Sequence, residues 1–528
     1  MTPAALQVLL ASLTGIADEM GAVLRRAAFS PNIRERADCS AAVFTVSGEL
    51  LAQAEHIPVH LGSMPASVRA ALDAAPEPRP DQHIVLNDPF AGGTHLNDIT
   101  VVTPCFAENT LVGWVANRAH HADVGGMVPG SIPPEATSIV QEGLRIPPVV
   151  LTADVARLLE ANSRTPIERA GDLDAQVGAN RIGARRLAAM AGAPFAEVLA
   201  YGERRMRAAL EALADGTWSA ADVIDSTGPR PEQQRPARIA VRVTKSGGRI
   251  SFDFTGTDAQ GGGNVNAVDA VTVSAVVWAL RSVTDPTIPA NGGALRPIEV
   301  VVPPGTFVSA RPPAAVGAGN VEVSQRVADV CLAALAGGAP GRVPGAGQGT
   351  MNNLMVGGRD WVYYETVGGG QGGRPGGPPG MSGVHTGMTN TQDTPVEALE
   401  RAYPMRVLRY GLRVGSGGTG AAPGGDGIVR DVQVLEPCTV SLVTERRLSR
   451  PSGRAGGGPG ATGENWLIPR NDESRAERLP DKCTVELEPG DVVRQITPGG
   501  GGWGPAVPSA TPPASGRRRG PPPSEGRA

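Results

Sequence analysis

Apolar residues Leu9, Leu10, Leu13, Ile16 and Met20 recur at three- and four-residue spacing, which predicts an amphipathic helix over residues 1 to about 30. The pattern then changes to a strand through Ala42, Val43, Phe44, Thr45 and Val46, with Ser47 and Gly48 as a hairpin-like turn. A helix over 63–74 and a strand over 84–86 lead into a loop, 87–97. A long helical stretch over 175–215 places Arg and Glu on one side and Leu, Met and Ala on the other, and reads as a packing element. Strands are expected at 239–243 and 250–254. The segments 266–283 and 322–335 are apolar nearly all round, so they predict helices without a solvent face.

From about residue 340 glycine becomes dense, at 368–380, 415–427, 456–463 and 499–504, and this half reads as short strands joined by tight turns. The Pro-, Ser-, Ala- and Arg-rich tail has little to bury and is expected to be disordered. The pattern predicts a mixed α/β (α+β) protein of several subdomains, with buried apolar helices on mixed sheets and a glycine-rich, strand-rich C-terminal half. The expected regions are 1–235, carrying a metal site, 236–340, 341–504 and the tail 505–528.

Composition narrows the function. At 528 residues the chain exceeds the ~250–300 residues that one hydrophobic core supports. A net charge of -4 and 4% aromatic residues argue against phosphate-backbone binding and base stacking, so no nucleic-acid partner is expected. Cys39, Cys105, Cys331, Cys438 and Cys483 are scattered and form no CxxC pair, which fits a reducing, cytoplasmic setting. No Lys or Arg precedes the apolar stretch 4–13, and Asp18 and Glu19 follow it, so it reads as helix rather than leader. No apolar run reaches the ~18 residues of a membrane span, 271–280 coming nearest, so no membrane association is expected. Lys245 and Lys482 are the only lysines, and neither lies in a GxxxxGK[ST] frame, which excludes a P-loop. If ATP is used, another fold or another chain binds it.

Histidine carries the strongest chemical signal. Of the seven, His56, His60, His83, His95, His120 and His121 lie in the first 121 residues, and His385 lies apart. In NDPFAGGTHLND (87–98) a glycine turn lets His95 and Asp98 converge, although residues three apart on a strand would face opposite sides. In NRAHHADVGG (117–126), following an expected strand at 111–116, His120 and His121 cannot both point the same way. Two such neighbouring segments would join His95, Asp98 and one of His120 or His121 into a set for Mn, Zn or Fe, with open positions for water or substrate. Asp123 and His60 are candidates for orienting a ligand imidazole or handling protons. Glu35, Arg36 and Asp38 read as a structural salt bridge before a strand.

These segments together resemble the hydantoinase B/oxoprolinase family, which includes the corresponding subunits of 5-oxoprolinase, N-methylhydantoinase and acetone-type carboxylases. The resemblance rests on SPNIRERADCS (30–40), HIPVHLGSM (56–64), LNDPFAGGTHLNDITVV (86–102) and NRAHHADVGG, followed by FDFTGT (252–257), NGGALRPI (291–298), GNVEVSQRVAD (319–329), GQGTMNN (347–353) and TPGGGGWG (497–504). It implies a divalent metal on His95, Asp98 and His120. It also implies a divided reaction, in which a hydantoinase A-type ATPase partner phosphorylates an amide or ketone oxygen and the B-type chain completes hydrolysis or carboxylation. The expectation is therefore the B-type component of an ATP-dependent cyclic-amide hydrolase of the 5-oxoprolinase or hydantoinase type, in a hetero-oligomer that takes ATP through its partner. A ketone carboxylase component, a non-catalytic scaffold and a stand-alone metallohydrolase are the alternatives. This chain departs from the family pattern at Gly387, where a second histidine often follows His385, and at Cys39, where an aromatic residue is common.

Overall fold

A computed structural model describes residues 1–54 and 57–506; His56 and the tail beyond 506 lie outside them. Helix α1 (Pro3–Ala27) starts where Thr2 accepts from the Ala5 amide, and buries Leu13, Ala17, Met20 and Leu24 completely. By length and composition this helix could also cross a membrane, but here its apolar face packs on the protein. The short helix α2 (Pro31–Arg34) follows. The first sheet contains β1 (Cys39–Thr45), β2 (Leu50–Ala54), β3 (Ile84–Leu86), β4 (Asp98–Ala107), β5 (Thr110–His120) and β6 (Val149–Val150), in the order β2-β1-β5-β4-β3-β6. All its pairings are antiparallel. Helices α3 (Met64–Ala74), α4 (Ala153–Ala161), α5 (Pro166–Ala188) and α6 (Phe195–Glu211) surround it, with α5 packed against β4, β5 and α1.

The single helical stretch expected over 175–215 is two helices, α5 and α6. Gly192, at φ +81, and Pro194, which has no amide hydrogen, end one helix and start the next. Nor is α5 a simple packing element, because Arg169, Asp172, Gln176 and Asn180 are fully buried on it.

The second sheet, β7 (Gly216–Ile224), β8 (Ala237–Ser246), β9 (Arg249–Asp253) and β10 (Ile298–Val301), runs in the order β10-β9-β8-β7. Helices α7 (Asp269–Val283), α8 (Gly292–Leu295) and α9 (Ser324–Leu335) follow in this part of the chain, and α7 packs on α9. Most of the α7 and α9 side chains are buried, as all-round apolarity requires. The expected helix at 322 begins earlier, as a π-turn over Gly319–Val323. Gly319 permits it, since a Cβ there would stand 1.9 Å from the Asn266 carbonyl oxygen.

The C-terminal half contains β11 (Asn353–Gly357), β12 (Val362–Glu365), β13 (Met405–Arg413), β14 (Gly427–Val434), β15 (Cys438–Val443), β16 (Glu464–Ile468), β17 (Glu477–Leu479), β18 (Lys482–Leu487) and β19 (Val492–Ile496). They form the sheets β12-β11-β15-β18 and β13-β14-β19-β16-β17. The glycine clusters between them are expected as turns, and Gly376, Gly377, Gly415, Gly456 and Gly504 do have positive φ. Most of the others instead form extended segments that bond backbone to backbone. The Gly500 amide donates to the Gly425 oxygen (2.9 Å), Gly425 to Gln371 (2.8 Å), Gly373 to Gly501 (2.8 Å), and Gly501 to Ala346 (2.8 Å). A Cβ on Gly424 would lie 1.9 Å from the Gly500 oxygen, so close approach rather than an unusual backbone angle requires glycine here.

Candidate metal centre

The loop before β4 is held from both sides. Asn87 donates to the oxygens of Leu96 (2.7 Å) and Leu144 (3.0 Å) and accepts from the Ile146 amide (2.6 Å), while Asp88 caps Phe90. Gly92, at φ +90, turns the chain against α3, where a Cβ would meet Ala66 backbone at 2.5 Å. The Asp98 amide then closes back on the His95 oxygen at 3.1 Å, bringing the two side chains together as the glycine turn predicts. Asp98 opens β4 and stands directly opposite His120 at the end of β5. His60 arrives from the 3-10 turn Pro58–His60 that follows β2, and Asn320 from the π-turn.

His95 Nε2 and His60 Nε2 lie 3.4 and 3.5 Å from Asp98 Oδ2. Two donors each ~2.1 Å from a tetrahedral ion stand about 3.4 Å apart, so this spacing suits a shared cation. The His95 and His120 rings are 5.0 Å apart between centroids, and Tyr364 stacks on His120 at 4.4 Å and 13°. The ring atoms His60 Nε2, His95 Nδ1, His95 Nε2 and His120 Nε2 are buried and lack hydrogen-bond partners. Their donor types fit a divalent ion. Among the described residues, however, no three such groups already converge as a finished coordination set. Asp98 Oδ2 instead accepts from Thr94 Oγ1 and, at 3.3 Å, from Asn320 Nδ2. The Asn32 amide nitrogen donates to the His120 carbonyl at 2.7 Å and faces His120 Nδ1 at 3.0 Å, which leaves the proton of the neutral ring on Nε2. Ligation through His120 Nε2 thus requires that proton to shift to Nδ1 and the Asn32 amide to turn.

Burial lowers the pKa of His60, and holds that of His120 well below the usual histidine range with help from His95. For Asp98 burial acts the other way, but the neighbouring His95 and His60 outweigh it and keep the carboxyl ionised. Low pKa values at His60, His120 and Asp98 favour the unprotonated donor atoms that a metal needs. A cavity of about 20 Å³ adjoins them, with Asp38, His60, Asp98, His120, Asn320 and Thr389 in its wall. Asp38 is buried, and desolvation raises its pKa to about 7 against the pull of Arg36. A larger cavity of about 580 Å³ shares Thr389 and is lined also by Pro58, Gln325, Arg342 and His385.

The structure brings together His60, His95, Asp98 and His120. It does not bring in His121 or Asp123. His121 leaves β5 on the opposite side and bonds Gln176 Oε1 through Nε2 at 3.0 Å. Asp123, expected beside a ligand imidazole, anchors a loop instead, bound by Arg164 Nη1 (2.9 Å), the Arg164 amide (2.8 Å) and Ser163 Oγ (3.2 Å). Asp38 is the site residue that sequence reasoning misses, because its neighbours suggest a structural salt bridge. Its expected partner, Arg36, is itself buried and donates to the Tyr364 oxygen (2.9 Å) and Thr366 Oγ1 (2.7 Å). Two charges beside an apolar strand, in a segment rich in small residues, are the available signal.

Comparison with known proteins places the chain in a wider group. The chain is 40% identical over 526 residues to 5-oxoprolinase 1 of Arabidopsis thaliana, covering 93% of this chain and 41% of that protein. The alignment thus spans about two fifths of that relative's length. The B-type component of a putative D-/L-hydantoinase from a Pseudomonas species is 32% identical and is matched over 90% of its length and 95% of this chain. The crystal structure of ATP-dependent caprolactamase from Pseudomonas jessenii superposes with a TM-score of 0.88 at 27% identity, covering 96% of this chain and 91% of that one. A nucleotide-free acetone carboxylase shares the fold, with a TM-score of 0.87 at 20% identity over 95% of this chain and 76% of that one. The hydantoinase B/oxoprolinase profile matches residues 2–506, nearly the whole chain, and this protein is therefore a member of that family.

Proposed function

We propose that this chain is the metal-carrying B-type component of an ATP-dependent cyclic-amide hydrolase, completing hydrolysis of a substrate that an A-type ATPase partner activates. The observation that carries the reading is the cluster of unpartnered imidazole nitrogens around the ionised Asp98, in a family whose relatives include an oxoprolinase and a caprolactamase. Oxoproline and caprolactam are both cyclic amides. His95, Asp98 and His120 would hold a divalent Mn, Zn or Fe ion, with His60 on the same carboxylate. Such an ion supplies Lewis acidity and makes water acidic enough to ionise near neutral pH.

The chain's own residues do the rest. Asp38, with a pKa near neutrality, is suited to accept a proton inside the small cavity. Ser40 Oγ holds His60 Nδ1 at 2.9 Å, and the Tyr364 face fixes the His120 ring. Substrate would approach from the larger cavity past Thr389. Neither lysine is free for phosphate: Lys245 is taken by Asp215 (2.7 Å), and Lys482 by Glu445 (2.6 Å) and Asp481 (2.8 Å). This agrees with nucleotide bound on another chain. The test is to co-purify the chain with an A-type ATPase and follow ATP consumption with 5-oxoproline, hydantoins and ketones plus bicarbonate. Ring opening that needs both chains and ATP supports the proposal. Turnover only of a ketone with bicarbonate would replace it with a carboxylase, and ring opening by this chain alone without ATP would refute the divided reaction.

A further inference from the structure

Over Gly319–Val323 the helix that continues as α9 opens into a π-turn, and all of these residues are buried. A π-turn spans one more residue than a turn of α-helix, so it rotates the side chains before it by about 100° relative to those of α9. The surrounding chain fixes that rotation. The Ala318 amide donates to the Asn264 oxygen (3.0 Å), and Asn266 Nδ2 donates to the oxygens of Gly263 (2.7 Å) and Ala315 (3.0 Å). From the other side, Glu322 Oε1 accepts from the Met351 amide (3.1 Å) and from Asn353 Nδ2 (2.8 Å). Ser324 Oγ closes on the Asn320 oxygen at 2.6 Å.

The rotation delivers Asn320 to Asp98, 222 positions away along the chain. Asn320 is 4% exposed and lies in the wall of the small cavity with His60, Asp98 and His120. Its Nδ2 stands 3.3 Å from Asp98 Oδ2. An ionised carboxylate only accepts hydrogen bonds, so the nitrogen of the amide faces it and the oxygen faces away. Asn320 Oδ1 is buried and finds no donor among the described residues. Half of the amide is thus unsatisfied and the other half makes one long bond. For stability alone an apolar side chain of the same shape would serve as well or better, because it buries no unpaired polar atom. Asp98 Oδ2 also accepts from Thr94 Oγ1, so donors from the loop before β4 and from the central region hold the same oxygen.

We infer that Asn320 is a positioning residue of the metal centre, whose amide N–H fixes the orientation in which the Asp98 carboxylate meets a cation. The inference rests on the reading of His95, Asp98 and His120 as a metal centre. It adds that the central region completes that centre, through a turn whose irregular geometry aims one amide at one carboxylate. Beyond the turn, α9 supplies Gln325 and Asp329 to the wall of the larger cavity, so one element borders both cavities.

Chelator-competition titration of the full chain with zinc, and the electron paramagnetic resonance spectrum of bound manganese, test the inference in wild type and Asn320→Leu. Leucine has nearly the shape of the amide and lacks its donor. The variant is expected to bind zinc about 10- to 100-fold more weakly than wild type, with a changed manganese spectrum. Urea unfolding of the metal-free variant should keep the wild-type midpoint or exceed it, whereas a packing role alone would lower the midpoint and leave the spectrum unmoved. Asn320→Ala, which removes the amide without adding an apolar branch, is the second variant and should lose zinc affinity to the same extent. Zinc held by either folded variant as tightly as by wild type, with the wild-type manganese spectrum, overturns the inference and leaves the metal centre standing. A wild-type chain that binds no zinc overturns the metal centre, and the inference with it.

Discussion

Replacing Gly500 with alanine should be among the most damaging single-methyl changes in the molecule. Its Cβ would stand 2.2 Å from the Gln371 oxygen and 2.4 Å from the Gln371 carbonyl carbon, both backbone atoms without rotamer freedom. Ordinary contact begins at 3.4 Å, so the neighbouring segment must retreat by about an ångström or more. That movement strains the bonds from the Gly500 amide to Gly425 (2.9 Å) and from the Gly418 amide to Gly500 (2.8 Å). Two hydrogen bonds at about 0.5–1.5 kcal/mol each, plus about 1–3 kcal/mol for overpacking, give a loss of about 2–6 kcal/mol. Gly15 in α1 is the matched control, because nothing lies within 4 Å of its added Cβ. Gly15→Ala should stabilise by about 0.5–1 kcal/mol through helix propensity. Urea unfolding of the two variants beside wild type reads both numbers. A Gly500→Ala protein within about 0.5 kcal/mol of wild type would refute the claim that these glycines are required by backbone contact.

Three further outcomes follow from the buried charges. Glu142 is buried, accepts from the Gly317 (2.8 Å) and Val316 (3.2 Å) amides, and desolvation raises its pKa to about 8. The folded state holds this proton where the unfolded chain has lost it, so its contribution to stability is present at low pH and declines as pH rises through about 8. Glu142→Gln should therefore be nearly neutral at acidic pH and gain on wild type by up to about 1.4 kcal/mol per pH unit toward pH 8, measured by urea unfolding at several pH values. Asp38→Asn should remove an ascending limb near pH 7 from the kcat/KM profile of the active complex, while metal content is kept. Asp123→Asn should cost about 1–3 kcal/mol by loosening Arg164 and the 163–165 loop, seen in unfolding, without loss of metal.

The sequence conveys features that local chemistry decides. The glycine turn between Asp88 and His95 is legible from residue types, because Gly92 and Gly93 permit what other residues would block. Apolarity all round α7 and α9 announces burial, and the alternation of strand residues locates β1. His120 and His121 have to diverge on a strand, but which one faces Asp98 depends on the β4–β5 register. His60 meets Asp98 only through tertiary packing, 38 positions along the chain, and no local pattern encodes that distance. Asp123 sits in a motif as suggestive as that of His95, yet Arg164, remote in sequence, claims it. The glycine-rich half is ambiguous for a related reason: a tight turn and a backbone lattice both select glycine, and only the neighbours of Gly424 and Gly500 tell them apart.

The most direct measurement is metal content by mass spectrometry of the purified chain reconstituted with Mn, Zn or Fe, for wild type and the His95→Ala, Asp98→Asn and His121→Gln variants. One tightly held divalent ion per chain is predicted in wild type and His121→Gln, and its loss in His95→Ala and Asp98→Asn, with circular dichroism unchanged. Wild-type protein that holds no stoichiometric ion, or holds one that survives both His95→Ala and Asp98→Asn, would contradict the assignment of this cluster as a metal centre.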